Sequence, residues 1–189
     1  MSQPRRHGLL SAKIRALQIA CALAVSLTLP MAASAMELKS TSFEDGGRIV
    51  LRQVRNGSGC SGQNNSPGLL WTGAPPGTKS FAVTLFDADA SGAGGRWHWV
   101  LVNIPAKVTT LGERAQPGEA ISTKTDFGIP GYLGPCPPVG DRPHRYVLTV
   151  YALDVETLPL NAASSAALAS ALIQGHVLAK ASIAGYFGC

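Results

Sequence analysis

The sequence predicts a mainly β protein, an antiparallel β-sandwich with a C-terminal α-helix and short peripheral helices. Three observations predict it. Strand-like apolar runs recur at short intervals between Gly- and Pro-rich turn signals, the pattern of a sandwich rather than of alternating strand and helix. Two of these runs, residues 97–104 and 146–153, are apolar on both faces, which suits central strands of a sheet covered on both sides. Only residues 162–181 carry a convincing helical recurrence, through Leu168, Leu172 and Val177, with Asn161 as N-cap.

In chain order, residues 1–35 read as an export signal: Arg5, Arg6, Lys13 and Arg15 without an acid, an apolar run over 16–29, then the small-residue cleavage site Ala33-Ser34-Ala35. That run is about 14 residues, short of the roughly 20 that span a bilayer, and no later segment is longer. A soluble, exported chain is expected, periplasmic or secreted, with residues 36–189 as its single domain. Arg5-Arg6 is followed by His7-Gly8 well before the apolar run, so general secretion is favoured over the twin-arginine route. Residues 38–43 and 48–54 are short strand candidates divided by the turn Glu44-Asp45-Gly46-Gly47. A Gly-rich loop over 56–68 follows. Residues 80–86 form an apolar strand ending at Asp87, the Trp97 strand comes next, and 105–143 are loop-rich before the strand at Tyr146.

The formal charge of +5 comes mostly from the leader, which holds four of the 16 basic residues and none of the 11 acidic ones. The mature part is nearly neutral, which removes the electrostatic case for nucleic acid or an anionic membrane as partner. Its cysteines are Cys60, Cys136 and Cys189. In an oxidising compartment two of three can pair, and Cys60–Cys136 is preferred because both lie in Gly- or Pro-rich loops while Cys189 sits on a free end.

Two histidines stand beside strand starts. His98 lies within Trp97-His98-Trp99 and His144 within His144-Arg145-Tyr146. Strand alternation puts His144 and Tyr146 on one face and turns His98 away from Trp97 and Trp99. With Asp87 closing an earlier strand, these residues can line one edge cavity, its imidazole and phenol donors facing an anionic oxygen. The carboxylate is expected to fix an imidazole tautomer and keep it cationic near neutrality.

At these residues the chain resembles the phosphatidylethanolamine-binding protein family, in particular its bacterial, Raf kinase inhibitor-like branch, which includes exported members. The matching segments are Leu85-Phe86-Asp87-Ala88-Asp89-Ala90, residues 97–105, and residues 131–140 running into Pro143-His144-Arg145-Tyr146, with Asn65-Ser66-Pro67 and residues 77–81 besides. The resemblance implies a Greek-key β-sandwich with a small anion pocket for phosphate-type head groups. Carried over residue by residue, the pocket comprises Asp87, His98, Gly134, Pro137, Pro138, His144 and Tyr146, with backbone N–H groups near Gly134 completing the cradle. The family's usual Asp-Pro-Asp-Ala-Pro reads here with Ala88 and Ser91 in place of both prolines, and Arg96 stands where bacterial members commonly carry an aromatic residue.

Other readings were weighed against this one. Two histidines and a carboxylate suit a non-haem metal triad, but no His-x-His pair pre-forms a chelate, so neither metal nor cofactor is expected. For a hydrolase, no Gly-x-Ser-x-Gly elbow exists and Cys136 with His144 is the sole nucleophile pair in view. His176 and the tryptophans read as structural, while Asp89 suits either ligand binding or a structural role accepting backbone N–H bonds in its loop. The expectation is a non-enzymatic binding protein taking a small anionic ligand such as phosphate or phosphoethanolamine. The first alternative is an inhibitor or modulator of a protease or signalling protein acting through surface loops; the second is a weak hydrolase. A homodimer and a separate protein partner are both left open.

Overall fold

A six-stranded sheet carries the site, and its centre explains why so many of its residues are apolar on both faces. The structure is a computed structural model that describes residues 35–92 and 94–189. The expected export signal, apart from Ala35, lies outside the described residues. The described residues fall within one unit.

Eleven strands and one helix occur among the described residues: β1 Glu37–Ser40, β2 Gly47–Arg48, β3 Asn56–Gly57, β4 Cys60–Ser61, β5 Leu69–Thr72, β6 Ser80–Asp87, β7 Arg96–Pro105, β8 Thr110–Leu111, β9 Ile121–Ser122, β10 His144–Leu153, α1 Ala166–His176 and β11 Val177–Phe187. The large sheet has the order β2-β11-β10-β6-β7-β9, and a three-stranded sheet β1-β5-β8 covers one of its faces. Within the large sheet β10 returns by a long connection to lie beside β6, so β10-β6-β7-β9 has the Greek-key order.

The β6–β10 register decides which side chains share a face. Tyr146 lies opposite Asp87, Leu148 opposite Leu85, Val150 opposite Val83 and Ala152 opposite Phe81. Apart from Asp87 these residues join Leu69, Trp71 and Leu111 of the small sheet in the main core. The alternate residues Ala82 and Tyr151 face the other way and pack with Ala166, Ala169 and Ile173 of α1. The helix therefore buries the second face of the same strands.

Four local expectations are corrected. First, the helix is shorter than residues 162–181: Ser165, not Asn161, is its N-cap, accepting from the Leu168 amide at 3.2 Å, while Asn161 Oδ1 caps a preceding turn at the Ala163 amide. From Val177 the chain is strand, paired with β10 along its length. Ala suits either state, so ladder pairing and the period-two burial of Ala179, Ala181 and Ile183 override the local helical recurrence. Second, the expected strand over 48–54 stops at Arg48; the Gln53 and Val54 amides instead bond the Val50 and Leu51 carbonyls in tight turns. Consecutive exposed Val50 and Leu51 offer no face for a sheet to bury. Third, the peripheral helices expected beside α1 are turns in the described residues.

The fourth correction bears on function. Leu85 pairs with Trp99 and Phe86 with Trp97, so His98 is the extra residue of a β-bulge. The bulge puts Trp97 and Trp99 on opposite faces, Trp99 in the main core and Trp97 on the helix side, instead of together. It also aims His98 at the core-side edge, its ring edge-on to Tyr146 with centroids 5.4 Å apart. No helix of the described residues is long and apolar enough to cross a membrane.

Candidate functional site

The ends of β6, β7 and β10 meet at one corner of the sheet and bring Asp87, His98, His144 and Tyr146 together. All four side chains are nearly fully buried. Asp87 is the hub. Its Oδ2 accepts from His144 Nδ1 at 2.9 Å and lies 3.9 Å from His98 Nε2. Its Oδ1 accepts from the Asp89 and Ala90 amides, each at 3.0 Å, so an Asx turn shapes the segment where Ala88 and Ser91 replace the family's prolines. Asp89 is structural: one oxygen holds Arg142 at 2.6 Å and the other accepts the Arg145 amide at 2.8 Å.

The two imidazoles differ. His98 Nδ1 donates to the Leu133 carbonyl at 2.8 Å, which fixes the proton on Nδ1 and leaves Nε2 of the neutral ring as an acceptor facing the Asp87 carboxylate. Burial lowers the His98 pKa below its ordinary value and outweighs the upward pull of the Leu133 bond and the Asp87 charge. His98 is therefore neutral near pH 7 and is not the imidazole that the Asp87 carboxylate keeps charged. His144 instead lies between two carboxylates, with Asp87 at Nδ1 and Asp141 Oδ2 3.4 Å from Nε2. The doubly protonated ring is the form that can donate to both.

Tyr146 is fully buried, and its hydroxyl makes no hydrogen bond of good geometry, although the Asp87 carboxylate and the Cys136 backbone lie close enough to act on it. Burial, with the Asp87 charge next, holds its pKa far above the ordinary phenol range, so the group remains an O–H donor at any physiological pH. A buried hydroxyl without a partner costs about 1–3 kcal/mol. Two facing acceptors, Asp87 Oδ2 and His98 Nε2, and one unspent donor can together receive a proton and an anionic oxygen.

The proline loop runs beside the cluster, where the Leu133 carbonyl meets His98. Gly134 is required by its neighbours: a Cβ there would stand 2.1 Å from the Gln53 carbonyl oxygen and 2.6 Å from the Arg55 nitrogen. Its own amide donates to Asn64 Oδ1 at 2.8 Å, so a cradle near Gly134 would draw on neighbouring amides and not on this one. Pro137 is buried and Pro138 exposed; the Pro138 carbonyl accepts the Asp141 amide in the turn that carries Asp141 to His144. Phe127 lies edge-on to His98 at 5.0 Å, with the Arg55 and Arg96 guanidinium groups 5.7 and 5.9 Å from its ring centre. Two guanidinium groups thus flank one aromatic ring. Sequence reasoning missed Asp141, Phe127, Arg55 and Asn64; of these Asp141 stands three residues before His144 and Asn64 adjoins the Asn65-Ser66-Pro67 match.

Cys60 and Cys136 are disulfide-bonded, with Cα atoms 6.0 Å apart, and Cys189 is free. The bridge ties the Gly-rich loop to the proline loop behind Tyr146.

Comparison with known proteins places this geometry. The protein YbhB of Escherichia coli K12, of the group designated UPF0098, is 44% identical over 158 residues, covering 80% of this chain and 99% of its own. YbcL of the same organism and group is 42% identical over 164 residues, covering 83% of this chain and 90% of its own. The crystal structure of E. coli YbcL, described as a new member of the mammalian PEBP family, superposes with a TM-score of 0.80 at 40% identity over 82% of this chain and 99% of that one. LppC of Mycobacterium tuberculosis, named a putative lipoprotein, is 33% identical over 124 residues, 66% of this chain and 58% of LppC. The family model for phosphatidylethanolamine-binding protein matches residues 39–188, and the chain belongs to that family.

Proposed function

We propose that the protein binds a small phosphate-type anion, free or as a phospholipid head group, at Asp87, His98, His144 and Tyr146, and that it does so without catalytic turnover. The observation that carries this reading is the convergence of the buried Tyr146 hydroxyl, which makes no well-formed hydrogen bond, with the Asp87 carboxylate, His98 Nε2 and a histidine paired to carboxylates. An anionic oxygen would accept from Tyr146, and its charge would favour protonation of His98 at Nε2, creating a second donor. Asp87 holds His144 and receives that proton's charge. Gly134, Pro137 and Pro138 shape the wall, and Arg55 and Arg96 draw anions toward the rim. Cys136 is engaged in the disulfide, which argues against its use as a nucleophile.

Export of residues 36–189 after cleavage at Ala35 is part of the same proposal. It is supported by the leader pattern, by a disulfide that requires an oxidising compartment, and by the lipoprotein name of LppC. Amino-terminal sequencing of the chain recovered from outside the cytoplasm should begin at Met36.

The test is calorimetric titration of residues 36–189 with phosphoethanolamine and with inorganic phosphate, using His144→Ala as control. Saturable binding lost in the variant supports the reading; equal weak signals from both overturn it. Exposed Ile129 and Val139 favour a second reading, a protein partner at the surface loops. A stoichiometric partner retained by His144→Ala would support that surface instead of the pocket.

A further inference from the structure

Cys189 is not a loose end. Its Sγ lies 3.2 Å from Cys60 Sγ, and the sulfurs of Cys60, Cys136 and Cys189 all fall within 4.8 Å of one another. The fold holds it there. β11 pairs through Phe187 with His144, and Gly188 packs so closely on Pro143 that a Cβ would stand 3.1 Å from it, leaving one residue beyond the last fixed position. Burial grades across the trio: Cys60 is buried, Cys136 half-buried and Cys189 exposed. An accessible thiol thus stands in contact with the buried sulfur of a disulfide but off the S–S axis, and the terminal residue must swing into line before it can attack.

We propose that Cys60, Cys136 and Cys189 form a thiol–disulfide exchange site in which the single bridge passes between Cys60–Cys136 and Cys60–Cys189. Cys189 loses its proton to solvent, and its thiolate attacks Cys60 Sγ. The Cys60–Cys189 bond forms as the Cys60–Cys136 bond breaks, and Cys136 leaves as a thiolate that takes up a proton. One disulfide and one thiol are present before and after, so no external oxidant or reductant enters. Holding the attacking sulfur in contact replaces a bimolecular encounter by an intramolecular one. The two isomers differ in what they tether: the first joins the Gly-rich loop to the proline loop beside Tyr146, the second joins it to the end of β11 and frees the proline loop.

The test uses the full chain carrying one disulfide, incubated at about pH 8.5, where thiolates are populated, then alkylated with N-ethylmaleimide, digested and mapped by mass spectrometry. The wild type is expected to yield both bridged peptides, with label divided between Cys189 and Cys136. The Cys189→Ser chain should yield only the Cys60–Cys136 bridge and leave Cys136 unlabelled. The Cys136→Ser chain, oxidised with glutathione disulfide, should close Cys60–Cys189. Label confined to Cys189 in the wild type overturns the proposal, whether or not the Cys136→Ser chain folds. So does a Cys136–Cys189 peptide exceeding Cys60–Cys189, which would mark scrambling through unfolded chains.

Discussion

Replacing Tyr146 by Phe should move stability and binding in opposite directions. The hydroxyl is fully buried and its contacts with Asp87 and the Cys136 backbone fall short of good hydrogen-bond geometry, so its removal leaves no well-made bond broken and lifts a desolvation cost of about 1–3 kcal/mol. Taking about 1 kcal/mol as recovered, the variant should melt about 2–4 °C higher than the wild type in the absence of ligand, for a domain of this size. A hydrogen bond to a charged group contributes about 1.5–3 kcal/mol, so the same substitution should weaken phosphoethanolamine binding about tenfold or more. Thermal denaturation with and without phosphoethanolamine, followed by calorimetric titration, reads both numbers. A variant that melts lower and binds as tightly as the wild type refutes the reasoning, because the hydroxyl would then be serving the fold.

The remaining predictions follow from other named contacts. Because burial lowers the His98 pKa, the unfolded chain binds more protons than the folded one just below its ordinary value of about 6.5, so stability should fall as pH drops through that value and level off below the lowered one. Urea unfolding between about pH 7.5 and 5.5 should show that slope in the wild type and a flatter one in His98→Gln. Sulfate, which does not titrate in this range, should bind more tightly as pH falls, by up to about tenfold per pH unit while one proton is taken up at His98; an affinity independent of pH would deny that ring its part. Gly134→Ala forces a Cβ against the backbone of Gln53 and Arg55 and should cost about 3 kcal/mol in chemical denaturation. Ser165→Ala removes the α1 cap bond to Leu168 and should cost about 1 kcal/mol without altering anion binding.

The site was legible where chemistry and strand ends coincide. Asp87 and His144 stand at opposite ends of apolar runs, and antiparallel pairing of β6 with β10 necessarily brings such ends together. The direction of His98 was not legible, because alternation assumes an unbroken ladder and the bulge at that residue inserts an extra step. Its protonation state was not legible either: a neighbouring carboxylate can be read from sequence, but burial, which dominates, depends on packing by Phe127, Leu133 and Tyr146. The C-terminal segment shows the limit of local propensity. Residues 177–181 fit a helix or a strand, and only the β10 ladder decides. That choice also fixes Cys189, which reads as a free end on a helix and as a pinned neighbour of Cys60 at the end of a strand.

A crystal structure of residues 36–189 grown with phosphoethanolamine tests the central claim most directly. The account requires tetrahedral density at the β6–β7–β10 corner, with an oxygen in hydrogen-bond reach of Tyr146 Oη and of His98 Nε2. Density confined to the outer guanidinium groups of Arg55 and Arg96, with the Tyr146 hydroxyl still lacking a well-formed hydrogen bond beneath it, would contradict it.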